Sequence, residues 1–350
     1  MKIAIMGFGV VGSGVYEVMA DNKLLAARAG EPIEVKRILD LRDFPDFEKP
    51  ELFTKSFDDI INDSEIGLVA EVMGGVNPAY EYTKQLLQAG KSVVTSNKEL
   101  VATHGTELLE IAMKHSSKYM FEASVGGGIP IIRPITNCLA ANEITDIVGI
   151  LNGTTNYILT RMIKDNQSFE EALAGAQERG YAEKDPSADI EGKDTCRKIA
   201  ILASLAFGEF VNSDEIPTEG ITKITLNDVV YAESQGKVIK LVGMASKVGD
   251  KVFSKVCPVM LDKNHSLAGV EDVFNGVLVS GDSVGDVLFC GRGAGMLPTA
   301  SAVVADIADI IRNKNSQQQQ LWSGNAKLAC EIPSDVVKKM SDNGITVLYN

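Results

Sequence analysis

Basic residues are scarce in this chain. Its 34 Lys and Arg stand against 47 Asp and Glu, a net charge of -13, and they are spread thinly along the sequence. Nucleic acid is held by clustered Lys and Arg, so this balance argues against such a partner and leaves an acidic, solubilising surface. Cysteine is scarce as well: Cys138, Cys196, Cys257, Cys290 and Cys330 stand singly, odd in total, with no CxxC pair. Neither a zinc cage nor a disulfide framework is suggested, and a reducing cytoplasm fits best. Long apolar runs are missing too. The start MKIAIMGFGVVGSGV is a short apolar run broken by glycines. No stretch approaches the roughly 18 uninterrupted apolar residues of a membrane span, so neither a signal peptide nor a membrane partner is supported. There is no internal repeat.

What remains is an ordinary globular balance, 45% hydrophobic and 23% charged over 350 residues, with room for two domains. Short apolar runs alternate with amphipathic ones: KIAIMG, VVGSGVYEVMAD, IEVKRILD, IGLVAEVMGG, AYEYTKQLLQAG, KSVVTSNK and KYMFEAS. That βαβα rhythm predicts an α/β fold with a Rossmann-type doubly wound parallel sheet. Past about residue 130 the rhythm changes to longer helical stretches (156–164, 168–179, 194–208) and then to strand-like runs, VFSKVCPVML and GVLVSGDSVGDVLFCG. These predict a second, α+β domain. A last helical pattern, TASAVVADIADIIRN, follows the glycine-rich GRGAG and is expected to fold back on the first domain. The expected division is a dinucleotide-binding domain over 1–135, completed by a returning helix at 296–313. A substrate-binding and dimerisation domain follows over 136–295, and a polar tail over 314–350 that opens on NSQQQQ.

Gly7-x-Gly9-x-x-Gly12 follows a five-residue apolar strand and opens a helix. In that arrangement a tight turn brings backbone N–H groups and a helix N-terminus up to a dinucleotide pyrophosphate. The stretch Gly7, Phe8, Gly9, Val10, Val11 and Gly12 is therefore the expected cofactor cradle. Asp40, ending the next strand in RILDLRD, is placed to accept from an adenosine ribose, while Arg42 would suit a 2′-phosphate, so NAD and NADP both stay open. Ligands of such a sheet sit outside the carboxyl ends of its strands, which here carry EVMGG (71–75) and VTSNK (94–98). Gly74 and Gly75 would let the nicotinamide ribose approach, beside Ser96, and Lys98 would emerge over the crevice unless it is simply a solvated lysine starting a helix.

A second concentration of charge lies in GYAEKDPSADIEGKDTCRK, which runs directly into apolar IAILASLAF. Asp194 and Lys198 are four apart and share one helix face. They form either a surface pair contributing a few tenths of a kcal/mol or, on a buried helix, a partly desolvated pair whose lysine is pulled toward neutrality.

Over roughly residues 1 to 312 the chain resembles homoserine dehydrogenases. The motifs are GFGVVGSGV, VTSNKELVA, FEASVGGGIPII, GILNGTTNYIL, GYAEKDPSADIEGKDTCRKIAIL and GRGAGMLPTASAVVADI. The resemblance implies reduction of the small-molecule substrate aspartate β-semialdehyde to homoserine with NADH or NADPH, on the path to threonine and methionine. It implies that Glu183 meets the substrate ammonium, that Asp189 and Asp194 line its pocket, and that Lys98 and Lys198 are the active-site lysines. Gly153 and Thr154 fall in a substrate loop, and Gly293 to Gly295 in a glycine loop at the nicotinamide. The resemblance further implies a monovalent cation, Na+ or K+, on Glu122 and the carbonyls of Val125, Gly127 and Ile129; without it, the segment reads as a turn with an exposed Glu. A homodimer or homotetramer is implied as well. About 35 residues follow the last matched helix, too few for an independent core, so a regulatory domain of the ACT type is not expected. Two other readings are an amino-acid or semialdehyde dehydrogenase of different specificity and a non-catalytic dinucleotide sensor.

Overall fold

The computed structural model describes residues 1–329 and 331–348, and Cys330 lies outside the described residues. The chain forms two compact units, Met1–Pro130 with Ala294–Leu321, and Ile131–Gly293 with Trp322–Asn350.

The first unit carries β1 (Lys2–Met6), α1 (Val10–Asp21), α2 (Leu25–Ala29), β2 (Glu34–Leu39), β3 (Phe53–Thr54), α3 (Asp58–Ile61) and β4 (Ile66–Glu71). It continues through α4 (Ala79–Gln88), β5 (Ser92–Thr95), α5 (Lys98–Lys114) and β6 (Tyr119–Met120). The strands pair in parallel in the order β3-β2-β1-β4-β5-β6, so the chain leaves β1 in one direction and returns past it in the other. Ile3 to Met6 are fully buried, as continuous apolar strands are in a parallel sheet covered on both faces.

The second unit carries β7 (Ile144–Ile150), α6 (Gly153–Asp165), α7 (Phe169–Glu178), α8 (Ser187–Ile190), α9 (Lys193–Phe207) and α10 (Leu226–Ser234). The long strands β8 (Lys237–Val248), β9 (Lys251–Asp262), β10 (Phe274–Gly281) and β11 (Gly285–Arg292) follow. The chain then returns to the first unit as α11 (Met296–Arg312), which packs along α1. Gly14 permits that crossing, because a Cβ there would lie 2.8 Å from the Met296 side chain and 3.1 Å from Ala300. Ala300, Val303, Val304 and Ile307 then enter the same core as Ile3, Ile5 and Val15.

The segment read from sequence as a polar tail is structured. It adds α12 (Ser334–Asp342) and β12 (Ile345–Val347) to the second unit, whose antiparallel sheet runs β11-β10-β7-β8-β9-β12. Its apolar residues are few but regularly spaced. Ile332, Val336, Met340 and Ile345 join Val148, Met244 and Leu278 of the sheet in one cluster. The opposite face lies under α9, where Ile199 closes on Gly243 at a distance that excludes a side chain. About 35 residues need no core of their own when they complete an existing one.

Candidate active site

In the first unit the glycine turn divides its tasks. Gly7 has φ +93°, and a Cβ at Gly12 would stand 2.0 Å from the Gly7 carbonyl oxygen, so only glycine lets α1 start against β1. A Cβ at Gly9, the residue capping α1, would meet nothing within 4 Å. Close packing explains Gly12, whereas the open space over Gly9 is where a pyrophosphate would approach the helix N-terminus. Phe8 is buried, Val11 is half-buried and Val10 is exposed beside that space.

Asp40, at the carboxyl end of β2, accepts from the Phe8 N–H at 2.7 Å and from Arg42 Nε and Nη2 at 3.0 and 2.8 Å. The sequence offered Asp40 and Arg42 as alternatives, and the structure joins them. The Arg42 guanidinium holds the Asp40 carboxyl well below the usual carboxylate range. Both line a cleft with Phe44, Phe53 and Lys55. Phe44 and Phe53 stack with ring centres 4.6 Å apart, and Arg42 lies over Phe44 at 5.3 Å. Sequence reasoning missed this aromatic wall, whose one signal was phenylalanine at 44, 47 and 53 soon after a strand end.

At the carboxyl ends of β4 and β5 the backbone is ready for a ligand. Gly74 and Gly75 have φ +81° and +71°, with nothing near their absent side chains. Half-buried Ser96 accepts the Lys98 N–H on its carbonyl at 3.1 Å, and Lys98, also half-buried, is the first residue of α5. Gly295, at φ +122°, caps α11 in the same unit. Gly293 belongs to the second unit, where a Cβ would collide with the Asn275 side chain at 2.1 Å.

Glu122 is 1% exposed, which corrects the reading of an exposed turn residue. Its N–H donates to Asp306 Oδ2 at 2.8 Å, and a bend through Gly126 and Gly127 (φ +74° and +54°) follows. Among the described residues no hydrogen bond is made to the carbonyls of Val125, Gly127 or Ile129. Carboxylate and carbonyl oxygens are the ligand types a hard cation takes.

In the second unit, Asp194 and Lys198 open α9 and are 3% and 7% exposed, so the pair is buried and not on the surface. Lys198 Nζ donates to Asp194 Oδ2 at 2.8 Å and to the Leu151 carbonyl, just past β7, at 2.7 Å. Asn152, which sequence reasoning passed over, is the hub. Its Nδ2 donates to Asp189 Oδ1 at 2.7 Å and Asp194 Oδ2 at 2.8 Å, while its Oδ1 accepts from the Thr155 N–H and caps α6. The available signal was local, an Asn directly after an apolar strand and before a helix. Gly153 passes close beneath the Val273 carbonyl, and Thr154 Oγ1 donates to the Tyr181 carbonyl at 2.7 Å, tying α6 to the acidic loop. Glu183, on that loop, is exposed. The structure thus brings together Asp189, Asp194, Lys198 and Asn152, and leaves Glu183 in solvent.

A glycine turn of the dinucleotide-binding kind opening a doubly wound parallel sheet fits one class, the NAD(P)-dependent oxidoreductases, and the comparisons with known proteins show it. A homoserine dehydrogenase family model matches residues 130–308, and the model of that family's NAD-binding domain matches 7–122. Homoserine dehydrogenase of Lactococcus lactis is 41% identical over 348 residues, 97% of this chain and 81% of that protein. The crystal structure of a homoserine dehydrogenase from Thiobacillus denitrificans superposes with a TM-score of 0.88 at 38% identity, covering 94% of this chain and 79% of the other. A hyperthermophilic archaeal homoserine dehydrogenase in complex with NADPH gives 0.76 at 28% identity, covering 91% and 99%.

The chain belongs to the homoserine dehydrogenase family. Its reaction is the NAD(P)-dependent interconversion of L-aspartate 4-semialdehyde and L-homoserine, an oxidoreduction at a CH–OH group in the biosynthesis of threonine and methionine. Among the described residues, no helix is long and apolar enough to cross a membrane.

Proposed function

We propose that Lys198 is the group that meets the reacting oxygen, stabilising its charge and exchanging a proton with it. The observation that carries this is the buried frame around its Nζ, made by Asp194 and the Leu151 carbonyl and braced by Asn152. An ammonium fixed in a dry site stabilises an oxyanion far better than a mobile surface lysine. When bound, the nicotinamide supplies or takes the hydride. Lys98, at the carboxyl end of β5, flanks that ring beside Ser96, and the glycines at 74 and 75 give it room.

Asp189, Gly153 and Thr154 shape the substrate pocket, and Glu183 orients the substrate through its ammonium. Because Glu183 is exposed, that attraction is worth about 1 kcal/mol or less and weakens with salt. Phe44 and Phe53 form the adenine wall. Both NADH and NADPH are accepted: Asp40 takes ribose hydroxyls when Arg42 swings away, and Arg42 with Lys55 takes a 2′-phosphate. The archaeal relative's NADPH supports the second mode.

Glu122 and the carbonyls of Val125, Gly127 and Ile129 hold Na+ or K+. A homodimer, or a homotetramer built from it, forms along β11, an edge strand exposing Leu288 and Cys290. The four described cysteines carry free thiols, which supports a cytoplasmic location.

The test is semialdehyde-dependent oxidation of NADH and of NADPH by Lys198→Ala and Lys98→Ala. Each variant should turn over slower by on the order of 10² or more with little change in dinucleotide affinity. Wild-type turnover would remove that lysine from the mechanism.

A further inference from the structure

Glu71 ends β4 and is 0% exposed. A carboxyl taken so far from water is costly unless its oxygens are occupied, and a leucine would fill the same volume without that cost. The groups that occupy it come from two loops. Oε1 accepts the Met73 N–H at 2.9 Å, inside the turn that leads to Gly74 and Gly75. Oε2 accepts the Thr95 hydroxyl at 2.6 Å, at the last residue of β5.

The hydrogen bonds continue into a closed ring. Thr95 Oγ1 accepts the Asn97 N–H at 2.9 Å, and Asn97 Nδ2 donates to the Gly75 carbonyl at 2.6 Å, which returns to the glycine turn. Asn97 Oδ1 also accepts the Leu100 N–H at 3.1 Å, capping the helix that Lys98 begins. Burial pushes the Glu71 carboxyl upward, while the Thr95 hydroxyl and the Met73 N–H pull against that shift. Thr95 and Asn97 are buried as well, at 1% and 6% exposure, so water does not compete for these bonds.

We infer that Glu71 is a positioning residue for the reaction: through Met73 and Thr95 it locks the glycine turn and the start of α5 into one frame. The backbone that receives the nicotinamide riboside and the helix turn that carries Lys98 then keep a fixed spacing. Ligands of such sheets lie outside the carboxyl ends of the strands, and this ring joins two of those ends. The inference rests on the proposed reading that this turn receives the nicotinamide and that Lys98 serves turnover. Because the carboxyl is fully buried and bonded to Met73 and Thr95, its effect passes through those neighbours.

The experiment uses the intact chain with three substitutions, Glu71→Met, Glu71→Gln and Thr95→Val, and measures three quantities. These are NADH and NADPH affinity by fluorescence titration, kcat and KM for the semialdehyde, and the melting temperature. Glu71→Met deletes both anchors, so both dissociation constants should rise by about tenfold or more, and kcat should fall by a similar factor. Glu71→Gln keeps an acceptor for the Met73 N–H, so it should recover most of the dinucleotide affinity but not kcat. Thr95→Val keeps the volume and frees the β5 side alone, so kcat should fall with dissociation constants near wild type.

If Glu71→Met does not fold, the other two variants, both close to the native volume, carry the test. Wild-type affinities and kcat in folded Glu71→Gln and Thr95→Val, with only the melting temperature lowered, would reduce Glu71 to a structural residue and overturn the inference. Lys98→Ala measured alongside keeps the two failures apart. Full turnover in Lys98→Ala sinks the reading of that lysine, whereas unchanged dinucleotide affinity in Glu71→Met sinks the frame itself.

Discussion

Lys98 and Lys198 look alike in the sequence, yet they differ in what their removal leaves behind. Lys198 is the partner of a buried carboxylate, so Lys198→Ala should destabilise the fold by about 3–5 kcal/mol besides slowing turnover. Lys98 is only half-buried and starts a helix capped by Asn97, so Lys98→Ala should lower the denaturation midpoint less than Lys198→Ala does. Equal midpoints for the two variants would contradict the frame assigned to Lys198. Arg42 is the group expected to discriminate between cofactors. Arg42→Ala should raise KM for NADPH by about tenfold while releasing Asp40 to ribose hydroxyls, so KM for NADH should hold or fall. A parallel rise for both cofactors would assign Arg42 to the cleft wall instead. Lys240, 2% exposed, donates to the Val270 carbonyl at 2.6 Å and to Asn156 Oδ1 at 3.1 Å, and burial lowers its pKa from 10.5 to about 8. Between those two values the unfolded chain binds more protons at this lysine than the folded one, so its contribution to stability rises with pH across that window. Unfolding free energies of the wild type and Lys240→Met should diverge in favour of the wild type as pH climbs through it. A constant gap would show that Lys240 does not titrate there.

Helices and strands differ in how much of them a reader of the sequence could see. The β1–turn–α1 start was legible because its constraint is local: Gly7 and Gly12 are spaced by the packing of a strand against the helix that follows. The Asp194–Lys198 pairing was legible because four residues make one turn. Asn152 and Glu71 were not, since their partners lie 37 and 42 residues away for Asn152 and 24 away for Glu71 in its bond to Thr95. The helix α12 was hidden by its polar composition; Val336 and Met340, one turn apart, suffice to seat it when a half-covered sheet is waiting. The returning helix α11 offers a direct check on element packing. Gly14→Val would drive a branched side chain into Met296 and Ala300, so it should cost about 1–3 kcal/mol in unfolding free energy. A fully wild-type denaturation curve would mean that the α1–α11 crossing yields more easily than this spacing implies.

For the protein as a whole, association is expected along an edge of the second sheet. One apolar face of the second sheet is covered by α12 and its flanks. What stays bare is β11, where Leu288 is 40% exposed and Val284, just before it, 46%. Leu288→Asp places a charge on that edge and should yield monomers in sedimentation at micromolar concentration, with the melting temperature little changed, since the side chain is exposed. An unaltered dimer would move the interface elsewhere.

The far border of the same sheet is sealed piece by piece. The Val252 N–H is given to the Lys327 carbonyl, the Val256 N–H to Pro217, and the Pro258 carbonyl receives the Leu348 N–H, while β12 takes Val259 to Leu261. Among the described residues, the β9 backbone is thus largely taken, and the eight-residue β11 is the longer open edge of this sheet. Two copies that met along β11 would use up the long edge of this sheet and leave at its other border only the three-residue β12. The same short segments that look like a frayed ending in the sequence cover most of the β9 backbone that would otherwise invite a further strand.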